Sequence, residues 1–218
     1  MSLYLEVAGR SLLVACVSTA LAALPAIWLG FRFARGRGVG TTIGEAIAML
    51  PLVLPPVVTG FGLLYLLAPA GPLGQLIFSL FGVRIPFTLA AAILASAVVS
   101  FPLFLRGARI GFTGVPRELE ETAATLGHGP RGVFFRVSLP LARPGIAAGA
   151  ILAFARALGE FGATLVVAGN IPGRTQTLPL AIYQAAQLGD TGSGWILVGI
   201  SAVLAFTLVL VSARFERL

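Results

Sequence analysis

The sequence has no lysine, and all fifteen of its basic residues are arginine. A nucleotide-binding P-loop depends on a lysine that reaches the β- and γ-phosphates, so this chain cannot hold a loop of that kind. We therefore expect no cofactor in this chain, and any nucleotide chemistry that it depends on must belong to another protein.

Cysteine and histidine are equally scarce, with one residue of each type. Cys16 can form no disulfide within the chain, and His128 has neither a cysteine nor a second histidine nearby. The sequence therefore predicts no metal site. It also shows no Ser-His-Asp set and no catalytic pair of carboxylates, so we do not expect an enzyme.

Charged residues make up only 11% of the chain, whereas 57% are hydrophobic and the mean hydropathy is +0.97. One soluble domain of this length could not bury so much apolar surface, which indicates that the protein lies in membrane lipid. The net charge of +7 does not indicate a nucleic-acid partner, because the arginines are scattered among apolar runs without interleaved exposed aromatic residues.

Apolar runs near the length of a membrane-spanning helix predict an all-α integral membrane protein, with one transmembrane domain over residues 1–218. A shorter apolar run, Leu178 to Leu188, is predicted to lie at the membrane interface or to re-enter the membrane. The five predicted spans are Leu12 to Phe31, Ala46 to Leu67, Phe87 to Leu105, Ile146 to Val167 and Trp195 to Val211.

The arginines between the predicted spans fall mostly on one side. Three lie between the first and second spans, six between the third and fourth, and two, Arg214 and Arg217, after the fifth, whereas only Arg10, Arg84 and Arg174 fall on the other side. Because positive charge accumulates in cytoplasmic loops, the amino terminus is predicted outside and the carboxy terminus in the cytoplasm. Residues 117–142 then form a cytoplasmic loop.

Three prolines interrupt the second predicted span, at positions 51, 55 and 56. Each proline removes an amide donor, so this helix must bend or break. Broken backbone at membrane depth is tolerated where it packs on protein or lines a wet cavity. Pro55, Pro56 and Thr59 are therefore candidates for the wall of a pathway, and a kink that only fits a neighbouring helix is the alternative.

The 117–142 loop begins with signals for a short helix. Pro116 suits a first turn, Glu118, Glu120 and Glu121 suit the positive end of the helix dipole, and Gly127 is a stop signal. These residues predict a helix of three to four turns in which Ala123 and Ala124 give a low profile that fits a groove. A helix resting on lipid headgroups is the alternative.

The fourth predicted span carries two charges, Arg156 and Glu160, four residues apart on one helix face. Lone charges at the centre of a bilayer are costly, so the pair must satisfy itself or face water. We place both residues, with Phe161 and Thr164, at a translocation pathway or its gate. An ion pair that only ties helices together is the alternative.

Two further features concern packing and the outer surface. Gly145 and Gly149, four residues apart among alanines, predict close helix contact within the chain or across a dimer. On the outer side, Asn170, Arg174, Thr175 and Gln176 offer donors to an oxyanion or a surface for a binding protein, although a solvated loop would have the same composition.

The stretch from Glu121 to Gly127, followed by Val137-Ser-Leu-Pro140, resembles the EAA signature in the transmembrane subunits of ABC importers. Thr122 stands where that family usually has alanine, and Val137 where it usually has isoleucine. The resemblance implies a coupling helix that enters a separate ATPase. The coupling residues would be Glu121, Thr122, Ala123, Gly127, Val137, Leu139 and Pro140.

Nearly the whole chain resembles the permease subunits of molybdate ABC transporters, of the type I importer fold. The resemblance rests on the segments 50–58, 100–103, 133–135, 138–141, 154–163 and 169–173. Sulfate permeases are similar, but tyrosine is common in them where Phe161 stands here, and tungstate is not separable from molybdate. The resemblance implies a homodimer in a bacterial or archaeal inner membrane, two ATPase subunits that bind ATP and magnesium, and an outer oxyanion-binding protein.

A secondary transporter is the alternative from another class. Such transporters often contain inverted repeats with paired broken helices. Five spans do not divide into two equal halves, and the 117–142 loop would then have no purpose.

Overall fold

A computed structural model describes residues 2–215 of the chain. Arg217 lies outside the described residues, as does the side chain of Arg214. The described part is all-helical. Its helices are α1 (Ser2–Arg35), α2 (Val39–Val53), α3 (Pro56–Leu67), α4 (Pro72–Phe81), α5 (Leu89–Thr113), α6 (Arg117–Thr125), α7 (Pro130–Val133), a π-helical turn (Phe134–Ser138), α8 (Leu139–Leu158), α9 (Gly162–Ala168), α10 (Leu178–Leu188) and α11 (Thr191–Phe215).

Within the described residues, four helices are long and apolar enough to cross a membrane, and a fifth span exists if the bent pair α2 and α3 counts as one. Helix α1 has 34 residues, or about 51 Å at 1.5 Å per residue, which exceeds the hydrocarbon core of a bilayer. Arg10 and Arg32 bracket its apolar middle, which agrees with the predicted first span. The bounds of α10 match the predicted short segment, whereas α4 was not predicted.

The predicted break in the second span is confirmed. Helices α2 and α3 meet at an angle of 108°, as a broken span or a re-entrant loop. Leu54 and Pro55 between them have extended backbone, and Pro56 opens α3. Proline at these positions cannot continue the hydrogen-bond ladder of α2, and the residue before a proline disfavours helical backbone.

The fourth span was predicted as one continuous helix from 146 to 167, and this prediction is wrong. The long apolar helix runs from 130 to 158, and a break at residues 159 to 161 separates it from the short helix α9. Gly159 lies outside the helical region, with φ −92° and ψ 12°. Glycine weakens a helix, and Glu160 supplies a carboxylate that stabilises the start of the next one.

Four glycines lie where α5 crosses α8 and allow these two helices to pack closely. A β-carbon at Gly145 would lie 2.6 Å from the nitrogen of Gly111 and 2.9 Å from the oxygen of Gly107, and one at Gly149 would lie 2.8 Å from the oxygen of Phe104. Two backbones can come this close only where side chains are absent. Gly145 and Gly149 therefore pack within the chain, against α5.

Each end of the molecule has its own set of contacts between segments that are distant in sequence. At one end the Tyr4 hydroxyl lies 3.0 Å from that of Ser193, and Arg10 donates to the carbonyl of Gln176. At the other end Arg35 reaches Val115 and Glu120. We call the first the amino-terminal end and the second the loop end. Arg10 therefore lies at the amino-terminal end, and Arg35 and Arg117 lie together at the loop end, as their predicted sides of the membrane require.

We predict that Gly145→Ala destabilises the protein by roughly 1 to 3 kcal/mol, because the added methyl group meets backbone atoms that cannot move aside. Gly9→Ala is the matched control, since nothing lies within 4 Å of a β-carbon at Gly9. Alanine favours a helix over glycine, so the control should be neutral or stabilising. Thermal unfolding midpoints of the two purified variants in detergent would check this, and equal midpoints would contradict the packing role.

Candidate functional site

Helix α6 in the 117–142 loop is shorter than predicted. It has nine residues, about two and a half turns, where three to four turns were expected. Pro116 precedes the helix with extended backbone, whereas the sequence predicted it in the first turn. Leu126 already leaves the helical region, and Gly127 has φ +89°, a conformation that favours glycine. The predicted stop at Gly127 is confirmed, and the last helical residue, Thr125, lies two residues before this glycine.

The exposed surface of α6 differs from the predicted one. Glu121, Thr122 and Ala124 are exposed, whereas Ala123 is 7% exposed and packs against its own chain. Ala123 therefore does not contribute to a low outer profile, as the sequence had suggested. Leu119 and Leu126 are exposed apolar residues beside this face, and the sequence pattern gave them no role. The result is a short helix with acidic, polar and apolar groups available to a partner.

The rest of the motif lies in one continuous helical segment. Pro130 begins α7, and the chain passes through the π-helical turn directly into α8. Val137 belongs to the π-helical turn, and Leu139 and Pro140 open α8. The amide of Leu139 donates to the carbonyl of Phe134, five residues earlier. Pi-helical turns are rare and occur frequently at functional sites.

A buried polar contact connects this loop to the end of α1. The carboxylate of Glu120 accepts from the Arg35 guanidinium at 2.7 Å and from the Ser138 hydroxyl at 2.6 Å. Sequence reasoning placed Glu120 only near a helix dipole and did not find its partners. No local signal could have shown them, because Arg35 and Glu120 are 85 positions apart in the chain.

Arg156 and Glu160 lie at the break between α8 and α9. One oxygen of Glu160 is 2.7 Å from a guanidinium nitrogen of Arg156, an ion pair by distance that falls outside hydrogen-bond geometry. The other oxygen accepts from the amide of Ala163 at 2.8 Å. Glu160 follows α8 rather than belonging to it, so the two charges do not share a helix face as predicted. Its side chain is 1% exposed and that of Arg156 is 27% exposed.

The two helix breaks are packed against each other. A β-carbon at Gly60 in α3 would meet the backbone of Ala163, and one at Gly162 would lie 3.1 Å from Pro56. The structure therefore brings Pro55 and Pro56 beside the Glu160 region. Thr59 and Thr164 lie on these facing half-helices, and neither buried hydroxyl oxygen has a hydrogen-bond partner within residues 2–215. The Phe161 ring meets the Tyr183 ring edge-on at 5.0 Å.

The loop after α9 is mostly satisfied by its own contacts. The Thr175 hydroxyl donates to the carbonyl of Gly169 and accepts from the amide of Ile171, and Thr175 is fully buried. Asn170 and Gln176 hydrogen-bond each other and Gln184. Of the four loop residues predicted to meet an anion or a binding protein, Arg174 is the exposed one.

An exposed carboxylate lies at the same end of the molecule, just before α11. Asp190 accepts from the amide of Ser193 at 3.1 Å and so stabilises the first turn of that helix. Hydrogen bonds from the side chain and then the backbone of Ser193 lower the pKa of Asp190.

Comparison with known proteins gives consistent results. Residues 12–218 match the family of binding-protein-dependent transport system inner membrane components. The chain is 44% identical over 181 residues to the molybdenum transport system permease protein ModB of Escherichia coli K12, covering 82% of this chain and 79% of that protein. It is 43% identical over 189 residues to a putative molybdenum transport system permease protein, YvgM, of Bacillus subtilis 168, covering 87% and 82%.

A solved structure supports the fold. An inward-facing form of the MetNI methionine ABC transporter superimposes with a TM-score of 0.74, covering 100% of this chain and 96% of that chain at 19% sequence identity. The arrangement of helices is therefore that of an ABC importer permease.

We predict that Arg156→Ala destabilises the protein by roughly 3 to 5 kcal/mol, because it leaves a buried carboxylate without its counter-charge. Adding Glu160→Gln should restore part of this loss, since glutamine removes the charge and keeps an oxygen for the amide of Ala163. Denaturation of both variants and of the exposed control Arg174→Ala in detergent would measure the difference. Glu160→Gln alone would be measured as well. If the stability lost by the double variant equals the sum of the losses in Arg156→Ala and Glu160→Gln, the two side chains act independently.

Proposed function

We propose that this chain is the membrane-spanning subunit of an ATP-driven importer for molybdate. The chain belongs to the family of binding-protein-dependent transport system inner membrane components, and the proposal proceeds from this. The similarity to molybdenum permeases over most of both chains supports this substrate. The observation that carries the transport role is α6, a short exposed helix held between the two central helices α5 and α8.

The partners follow from the chemistry that this chain lacks and from the surface that it presents. Without a lysine it cannot form a P-loop, so two separate ATPase subunits would bind ATP and magnesium. They would dock on α6 through Glu121, Thr122 and the Ala124 side, with Gly127 shaping the end of the helix. A second copy of this chain would complete the pathway, and an outer oxyanion-binding protein would meet the loop that carries Arg174.

The pathway in this proposal is lined by the two broken helices. Breaks in membrane helices free backbone groups for a cavity or an ion, and they are costly unless protein or water satisfies them. Pro55, Pro56, Thr59, Phe161 and Thr164 belong to the region where these breaks meet. Glu160 is buried behind it, and the partly exposed Arg156 supplies the cation that can face an oxyanion.

The direction of transport requires the loop end to face the cytoplasm and the amino-terminal end to face outside. The bias of arginines toward the loop end supports this orientation. When ATP closes the ATPases, the two α6 helices would approach each other, and the motion would reach the breaks through α5 and α8. The whole of 1–218 would act as one membrane domain in this cycle.

We predict that Glu121→Arg and Gly127→Asp each weaken ATPase association about tenfold or more. The first reverses an exposed charge on α6, and the second places a β-carbon at a φ that costs roughly 1 to 2 kcal/mol for a non-glycine residue. Co-purification and substrate-stimulated ATP hydrolysis would measure both effects. Arg174→Glu, an exposed charge reversal at the amino-terminal end, should leave association unchanged.

The same docking surface must lie in the cytoplasm. A Thr125→Cys substitution in a Cys16→Ser background should react with a membrane-impermeant maleimide only after the membrane is opened. Labelling of this cysteine in intact cells, or normal coupling in both docking variants, would overturn the docking role of α6.

Substrate choice is tested by uptake into vesicles that contain the complete transporter. We expect molybdate to be imported in the presence of ATP and the binding protein, with sulfate carried at least tenfold less well. Competition by unlabelled tungstate would show whether molybdate and tungstate are carried by the same pathway. Preferential import of sulfate would reject the molybdate assignment and keep the ABC permease assignment.

A further inference from the structure

A single carboxylate joins three helical elements at the loop end. Glu120 belongs to α6, Arg35 is the last residue of α1, and Ser138 closes the π-helical turn before α8. One oxygen of Glu120 accepts from both of the other side chains, at 2.7 Å and 2.6 Å. We call these three residues the Glu120 node. It is the point where α1, which is distant in sequence, contacts the helix proposed to meet the ATPase.

The Glu120 node is shielded from water. The Arg35 and Glu120 side chains are 18% and 16% exposed, and Ser138 is fully buried. Arg35 also donates to the carbonyl of Val115 at 3.3 Å, and Arg117 donates to the carbonyl of Arg35 at 3.5 Å. A hydrogen-bonded ion pair that is largely removed from water is stronger and less affected by salt than an exposed one.

An aromatic cluster supports the node from the membrane side. The Phe31 ring meets the rings of Phe112 and Phe134 edge-on, at 5.3 Å and 5.0 Å. These residues come from α1, α5 and the π-helical turn. Gly30 adds a close contact between α1 and α5, since a β-carbon there would lie 3.0 Å from the nitrogen of Arg109. The end of α1 is therefore packed tightly against the elements that flank α6.

We propose that the Glu120 node is a force-transmitting contact, through which displacement of α6 by the ATPase moves α1 together with α5 and α8. The proposal rests on the proposed function and adds Arg35, Glu120 and Ser138 as positioning residues for it. The peptide chain connects α6 to α5 and α8, and α1 packs against α5. The Glu120 node adds a direct side-chain link from α6 to α1. An ion pair with only a structural role would stabilise the fold without affecting how far α1 moves when ATP binds.

The experiment follows α1 directly. Cys16 is the only cysteine in the chain and is exposed on α1, so a spin label there needs no substitution. In a homodimer with a cysteine-free ATPase, the distance between the two labels would report the position of α1 with and without trapped ATP. Uptake per ATP hydrolysed and ATPase co-purification would be measured on the same samples.

The variants separate a mechanical role from a structural one. Arg35→Gln and Glu120→Gln each remove one charge, and the combination Arg35→Glu with Glu120→Arg restores an ion pair with its polarity reversed. The matched control is Glu6→Gln, which breaks the ion pair with Arg10 near the other end of α1. We expect the single variants to keep ATPase association within about twofold and to lose about tenfold or more in uptake per ATP, as for the loss of a charged hydrogen bond.

The nucleotide-dependent change in the Cys16 distance should shrink in the single variants and return in the reversed pair. The control should resemble the wild type. If the single variants do not fold, Ser138→Ala keeps the ion pair and removes one hydrogen bond, and a partial loss of the distance change is expected from it. A full distance change in any folded variant that lacks a node contact would overturn the inference.

Failure of the proposed function would look different. In that case the wild-type chain would not co-purify with an ATPase or would not import an oxyanion at all. A wild-type complex that assembles and transports, with variants that remain equally coupled, would reject only the force-transmitting role of the Glu120 node.

Discussion

The close crossing of α5 and α8 is the constraint on which the rest of the structure depends. Gly107 and Gly111 face Gly145 and Gly149 so closely that a β-carbon on either helix would meet backbone of the other. In lipid, where apolar side chains gain little by leaving the solvent, such packing is a principal source of helix association. The crossing fixes the position of α5 relative to α8, and so it fixes the position of the two attachment points of α6 relative to each other.

The break after α8 shows how a buried charge is accommodated beside this core. One oxygen of Glu160 binds the amide of Ala163 at the start of α9, and the other pairs with Arg156. A carboxylate at this depth is costly alone, but here the helix interruption supplies an amide donor and the arginine supplies the opposite charge. The interruption and the ion pair are therefore linked. The interruption leaves the amide of Ala163 available to donate to Glu160, and Arg156 supplies the counter-charge for the same carboxylate.

Local signals predicted much of the fold, and long-range contacts account for what they missed. Apolar length located the spans, prolines located the break before α3, and a glycine located the end of α6. The break at Gly159 was missed because a glycine in an apolar run is often tolerated within a helix. Two features depend on which segments meet in space: the inward position of Ala123 and the pairing of Arg35 with Glu120. A single sequence, read without an alignment of its relatives, does not contain that information.

The glycine crossing and the Glu120 node have complementary mechanical properties. Side chains that interdigitate can change rotamer and absorb a small displacement, whereas two backbones in contact at glycines have no side chain to rearrange between them. Under the proposed function, motion imposed on α6 would therefore move α5 and α8 together. Helix α1 touches the same core through Gly30 and is tied to α6 through Arg35, so it must move with the core or break an ion pair. By contrast, no residue of α2 is buried within the chain, although Glu45 of α2 pairs with Arg109 of α5. An importer pathway opens only when some helices move relative to others, and α2 is held less firmly to the core than α1.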